Sequence, residues 1–119
     1  MSNIPSRPDF VTVEHDGTDV RFSWTAPNDN FETITAYKLE IRNHNNEWII
    51  NTEHCDASQG DAFTGRTCKI PMIELATLTS LVIDTPIKAR VHAFNSNGWS
   101  EPSEPNIDAN GAVIHSVPL

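Results

Sequence analysis

The sequence has no apolar run approaching the roughly 18–20 residues of a membrane-spanning helix. It shows no charged start followed by an apolar stretch, so no secretory leader is visible, which by itself does not argue for the cytoplasm. Basic residues are scarce: 8 Lys and Arg face 16 Asp and Glu, for a formal net charge of −8, and no basic run interrupts the acidity. That balance repels phosphate backbones, which argues against nucleic acid as a partner, and it disfavours attachment to an anionic membrane surface. Neither nucleic-acid binding nor direct membrane insertion is therefore expected. What remains is a chain of 119 residues, 38% of them hydrophobic, which suits one domain with one core.

Catalytic signatures are also missing. There is no GxSxG elbow, no glycine loop of the kind that cradles phosphates, and no HExxH or HxH pair among His15, His44, His54, His92 and His115. Cys55 adjoins His54, and a Cys–His pair can activate a thiolate. Neighbours on a strand point to opposite faces, however, so this pair is not expected to work together. An enzyme is not expected, and no cofactor is implied. Carboxylates gather in loops as Asp16 with Asp19, Asp29 with Glu32, and Asp56 with Asp61. None has the spacing of a calcium loop, and Asp, Asn and Gly populate turns for conformational reasons alone. No metal site is assigned. The chain also lacks an N-x-Ser/Thr acceptor and an RGD tripeptide.

Only two cysteines are present, Cys55 and Cys68. They form neither a CxxC redox motif nor a zinc site, which takes about four ligands. A disulfide across the intervening loop is the leading reading, and it implies an oxidising compartment. Two unrelated buried thiols are the alternative. A bridge closing so short a loop contributes about 3 kcal/mol through the unfolded state.

What is abundant is alternation. "DFVTVEHDG" reads as a first strand anchored by Phe10 or Val11 and by Val13, ending in a turn at Asp16-Gly17. In "TDVRFSWTAP", Val20, Phe22 and Trp24 alternate with Arg21, Ser23 and Thr25, so the large residues share an inward face. In "ITAYKLEIRNHNN", Tyr37, Leu39 and Ile41 face inward and Lys38, Glu40 and Arg42 outward. "EWIINTEHC" resumes as a shorter strand packing through Trp48 with Ile50, or through Ile49. "DASQGDAFTGRT" is a polar surface loop, and "CKIPMIEL" a strand stopped near Pro71. Leu75, just before "ATLTSLVIDT", and Leu78 and Leu81 within it are spaced almost helically, but Thr77, Thr79, Val82 and Ile83 favour extended backbone. It is read as an irregular crossover that buries its leucines. "PIKARVHAFN" directs Ile87, Ala89, Val91 and Ala93 inward and Lys88, Arg90 and His92 outward. After the Asn97-Gly98 turn a last strand falls within Ser100 to Val117, in one piece or in two around Asn110-Gly111.

About seven short strands separated by turns, with no amphipathic helix, predict an all-β fold, an antiparallel two-sheet sandwich. Residues 1–8, with two prolines, read as a lead-in or linker, and residues 9–119 as the domain with an extended C-terminal tail. The head "SNIPSRP" and the tail "HSVPL" echo one another, as they would if one tail ran into the next head of a tandem chain. Of the three tryptophans, Trp24 belongs to the core, and Trp48 either to the core or over a sheet edge. Trp99, just after a turn, is the candidate for exposure. It either anchors a partner or sugar ring, or folds back over the sheet against Arg90 or Lys88 in a cation–π contact.

The order of "VRFSWTAP", "ITAYKLEI" and "IKARVHAFNSNGWSEPS" resembles a fibronectin type III domain over roughly Pro8 to Pro105. The matching positions are Trp24 followed by Pro27 on the second strand and Tyr37 opening the third. Val91, Ala93 and Asn95 then end the sixth strand, before Gly98 and Ser100. Two departures stand out. Ile87 occupies the position where that family usually has a tyrosine, leaving the preceding corner to be held by Leu78, Leu81 and Val82. The cysteine pair and the long segment between the fourth and sixth strands are also unusual, and the combination of "C…CKIPMIEL" with "GWSEPSEPN…GAVI" resembles a variant found in extracellular tandem arrays of single-celled eukaryotes, notably ciliates. "WSEPS" partly resembles the Trp-Ser-x-x-Ser-like box of receptor domains with this fold.

The resemblance implies an Ig-like sandwich working as a non-catalytic structural or adhesive building block, or a spacer, of a tandem-repeat cell-surface or filament protein. Its expected setting is extracellular. Its expected partners are neighbouring copies of the same module or other extracellular proteins. Alternatives are a protein- or glycan-binding module using loops near Trp99, and an accessory domain of a secreted enzyme.

Overall fold

A computed structural model describes residues 4–30, 32–51, 55–58, 60–81, 85–104 and 113–114. Among these, β1 (Thr12–Asp16), β2 (Asp19–Ser23) and β5 (Thr67–Pro71) form a three-stranded antiparallel sheet in the order β1-β2-β5. The four-stranded sheet contains β3 (Ala36–Arg42), β4 (Trp48–Ile49), β6 (Ala89–Asn95) and β7 (Gly98–Trp99), ordered β4-β3-β6-β7. Two helices, α1 (Gly60–Thr64) and α2 (Met72–Thr79), lie in the connections. The result is an all-β, seven-stranded sandwich.

The alternation explains the layers. Val20, Phe22 and Trp24 are buried from one sheet against Tyr37, Leu39, Ile41, Ala89, Val91 and Ala93 of the other. Burial follows every second residue along β3 and β6, so one face of each sheet makes the core and the other meets solvent. Ile87, Leu75 and Ile114, each almost fully buried, complete the core outside the strands. Asp16 pairs with Asp19 across a two-residue turn, where Gly17 takes φ of 64°. A side chain is strained at that φ, and glycine is not.

The structure settles several local alternatives. Val11, just before β1, and Val13 within it are the buried anchors, and Phe10 is 54% exposed. β4 is only two residues long and ends before Ile50, which is exposed. The polar loop between the cysteines contains the short helix α1.

The stretch read as an irregular crossover is corrected: its first half belongs to helix α2, which buries Met72, Leu75 and Thr79. These residues recur at helical spacing, so the burial stripe is real. Leu78 is 36% exposed and Leu81 only partly buried, so the crossover does not bury all its leucines. The threonines that argued for extended backbone are accommodated by their hydroxyls. Thr77 Oγ1 donates to the Ile73 carbonyl at 2.9 Å and Thr79 Oγ1 to that of Leu75 at 2.7 Å. Pro71 precedes the first turn, where a missing N–H is harmless, and Ser80 ends the helix in the left-handed region. Leu75 and Thr79, not Leu78, are therefore the residues that this segment buries. Val82 and Ile83 lie outside the described residues, as does the Asn110-Gly111 turn expected in the last strand.

The lead-in is fastened to the body from Ile4 onward. Ser6 N–H donates to the Asn28 carbonyl at 2.9 Å, and Asn30 Nδ2 donates to the Ile4 carbonyl at 2.9 Å. Pro5 and Pro8 are buried. At the opposite end of the strands, Ile114 N–H donates to the Thr85 carbonyl at 3.0 Å, and Val113 bridges to Pro86.

Candidate functional site

The outward face of the four-stranded sheet carries the densest side-chain chemistry among the described residues. Register decides which outward residues meet. Arg42 stands beside Trp48 on one side and donates its N–H to the Lys88 carbonyl on the other. Glu40 then pairs with Arg90, Lys38 with His92, and Ala36 with Phe94, which in turn pairs with Trp99.

Glu40 is the hub of this face. Its Oε1 accepts from Arg90 Nε at 2.8 Å and from His92 Nε2 at 2.7 Å, and its side chain is 13% exposed. Burial alone would push the Glu40 carboxyl up. The hydrogen bonds and positive charge supplied by His92 and Arg90 outweigh it and hold the carboxyl below its ordinary range. The other nitrogen of His92, Nδ1, lies 3.2 Å from the Ser100 carbonyl.

Aromatic rings bracket the hub. Trp48 has Arg90 at 4.4 Å and Arg42 at 4.9 Å from its ring centroid. Trp99 has Lys38 at 4.6 Å, Phe94 at 4.8 Å and the His92 ring edge-on at 6.4 Å. The expected contact of Arg90 or Lys88 with Trp99 is thus corrected. Trp99 pairs at the level of Phe94, four residues along β6 from Arg90, or about 13 Å of strand. Lys38 is within reach, and Arg90 serves Trp48 instead. Trp99 is stacked and 40% exposed at once. It borders a cleft of about 190 Å³ shared with Lys38, Ile50, Asp56 and Ser58.

The two serines of "WSEPS" have a backbone role. Ser100 N–H donates to the Ala93 carbonyl at 2.7 Å and Ser103 N–H to that of Val91 at 2.9 Å. The β6 acceptors are two residues apart and the donors three, so the segment after β7 bulges around Pro102. In return, the N–H groups of Ala93 and Val91 donate to the hydroxyls of Ser100 and Ser103, each at 2.9 Å. The hydroxyls stand in for the missing ladder carbonyls. Nothing in the linear pattern signals this, because bulge and register are tertiary facts. Buried Asn95 works similarly: its Nδ2 donates to the Asp29 carbonyl at 3.3 Å, and its Oδ1 accepts from Asn97 N–H at 2.8 Å. It ties two loops together at the end of β6.

Cys55 and Cys68 are joined by a disulfide, with Cα atoms 5.5 Å apart. Cys68 lies on β5 opposite Phe22. Cys55 lies two residues before Ala57, whose carbonyl accepts Tyr37 N–H at 3.2 Å. The bridge therefore connects the two sheets. Tyr37 meets Trp24 edge-on at 5.8 Å and Phe63 at 5.6 Å. Burial raises its hydroxyl pKa against the opposing influence of Arg66.

The remaining polar candidates do not converge. Among the described residues no three of His, Cys, Asp and Glu are placed to hold a metal ion. Asp16 pairs with Arg21 at 2.6 Å and Lys69 at 3.6 Å. Asp56 Oδ1 accepts from the Ser58 N–H at 3.1 Å within its own turn. His15 Nε2 accepts from Val113 N–H at 3.2 Å, and His44 Nδ1 lies 3.2 Å from the Thr79 carbonyl. His54, His115 and the Asp61 side chain lie outside the described residues.

The family model of the fibronectin type III domain matches residues 5–108. No curated protein sequence matches the chain. Among solved structures, "Titin kinase and its flanking domains" is similar at 25% identity and TM-score 0.57, over 91% of this chain and 18% of that one. The twitchin kinase region from C. elegans aligns at 20% identity and TM-score 0.59, over 93% of this chain and 20% of that one. The FN1–FN3 domains of chicken CNTN1 align at 18% identity and TM-score 0.63, over 96% of this chain and 34% of that one. The chain thus spans between about a fifth and a third of these solved chains, and the latter two likenesses concern the fold.

Proposed function

The chain belongs to the fibronectin type III family, whose members are in general non-catalytic modules of multidomain proteins, and on that premise we propose a specific role. It is a non-catalytic structural or adhesive building block of an extracellular, tandemly organised protein. One observation carries this reading: the backbone is anchored at opposite poles. Ile4 and Ser6 are fastened to Asn28 and Asn30 near the start of β3. Val113 and Ile114 are fastened to Thr85 and Pro86 beyond its end. The seven residues of β3 separate the two poles by roughly 20 Å. A module with this arrangement transmits position, and tension, along its strands. The Cys55–Cys68 bridge supports an oxidising setting and adds a covalent tie between the sheets.

The test joins two copies through the natural tail and lead-in and measures them by small-angle scattering. An end-to-end pair has a maximum dimension close to twice that of one copy. A pair folded side by side overturns the proposal.

A second reading is favoured by the exposure of Trp99 beside the cleft with Lys38, Ile50 and Asp56. There the module binds a protein or glycan partner through its indole. Trp99→Ala then abolishes binding with a nearly unchanged Tm, whereas a large drop in Tm assigns the ring to packing.

A further inference from the structure

Arg42, at the end of β3, and Lys88, the residue before β6, face one another, joined by the backbone bond from Arg42 N–H to the Lys88 carbonyl. Like charges facing each other across strands are mutually destabilising. The next row of the same face shows the usual remedy, since Arg90 is opposite Glu40 and bonded to it. Neither Arg42 nor Lys88 has a carboxylate partner among the described residues, although the chain carries twice as many acidic as basic residues. Arg42 Nε is, moreover, buried with no acceptor. A buried unpartnered donor of this kind costs stability unless something from outside supplies the acceptor.

The two cations border a cavity of about 170 Å³ with His44 and Asn46, and among the described residues no carboxylate lines it. Leu81 and Pro86 form an apolar part of its wall.

We infer that this cavity is a carboxylate-binding site, taking an acidic side chain from a partner protein. Arg42 and Lys88 supply charge and donors, and Leu81 and Pro86 contact the methylenes that carry the carboxylate. The volume suits one such side chain. A sulfated polysaccharide has the same oxyanion chemistry but is less favoured. Glu40 neutralises the adjoining row, and the net charge of −8 repels a polyanion at longer range. The site goes beyond the building-block role, because it is defined on a single module and does not depend on how modules are joined.

The experiment is a titration of the ¹⁵N-labelled protein at constant ionic strength with N-acetyl-glutamate amide and with its neutral isostere, N-acetyl-glutamine amide. The expected result is saturable shifts for the glutamate probe only, confined to residues 42–46, 81 and 85–88 and to the Arg42 Nε–H. Lys88→Gln weakens the binding by about fivefold. Lys88→Glu, which places a carboxylate opposite Arg42 permanently, abolishes the shifts and raises Tm. Equal response to both probes, or unchanged affinity in Lys88→Gln, overturns the site. A sulfated disaccharide binding tenfold tighter than the glutamate probe overturns the acidic-segment assignment.

Discussion

His92 Nε2 lies 2.7 Å from Glu40 Oε1 across the β3–β6 pair, and this contact makes the solvent face of the sheet depend on pH. The Glu40 carboxyl titrates below its ordinary range because hydrogen bonds and charge from His92 and Arg90 outweigh the effect of its burial. A depressed carboxyl contributes stability above its unfolded value, about 4.3, and loses it as pH falls through the lower folded value. Glu40→Gln is expected to cost about 1–3 kcal/mol at pH 7. The deficit should shrink below about pH 4, as the wild-type carboxyl takes up its proton. Urea unfolding of both proteins at pH 7 and pH 3 checks this, and an equal deficit at both would assign the loss to packing.

Trp99 and Lys38 should couple energetically, and Trp99 and Arg90 should not. A double-mutant cycle to alanine on the first pair is expected to give about 0.5–1 kcal/mol, the range of an exposed cation–π contact. The same cycle on Trp99 with Arg90 is expected to be close to zero, and on Trp48 with Arg90 to be positive. Thermal unfolding of the single and double variants reads all three.

Ser103→Ala leaves the buried Val91 N–H without its acceptor. The expected loss is about 1–3 kcal/mol, the cost of an unsatisfied buried donor. Ser96, exposed in the turn, is the control, and Ser96→Ala should change stability by no more than about 0.5 kcal/mol. Denaturant midpoints compare the two, and equal effects would remove the hydroxyl from its bridging role.

Replacing both Cys55 and Cys68 by alanine should destabilise the domain by about 3 kcal/mol, as expected for a short closed loop. The native protein should present no titratable thiol until it is reduced. Chemical unfolding with and without reductant, together with a thiol count, checks both statements.

Leu75→Ala is expected to cost about 2–5 kcal/mol, because Leu75 is fully buried and its loss leaves a cavity. Leu78→Ala, on the partly exposed side of α2, should cost much less. Similar losses for the two, measured by thermal unfolding, would contradict the helical placement of this segment.

The inward residues Val20, Phe22, Trp24, Tyr37, Leu39, Ile41, Ile87 and Val91 were legible because a strand repeats every two residues. One apolar–polar alternation is enough to assign a face. The same regularity misled at α2. Thr77 and Thr79 carry an intrinsic preference for extended backbone, and only the surrounding packing, with their hydroxyls bonded back along the helix, reversed it. β4 is shorter than the alternation suggests, since Ile50 continues the pattern but lies beyond the strand and is exposed.

By itself the sequence determined the fold class, the strand faces and the outward set Lys38, Glu40, Arg42, Lys88, Arg90 and His92. Periodicity is local, so it is written in each segment. Tertiary structure alone decided which members of that set meet. It placed Lys38 rather than Arg90 on Trp99, and set Arg42 against Lys88 with no carboxylate bonded to either among the described residues. It also turned the hydroxyls of Ser100 and Ser103 toward β6. Those outcomes follow from register and from a bulge, which depend on how distant segments close together, and no local pattern of side chains specifies either.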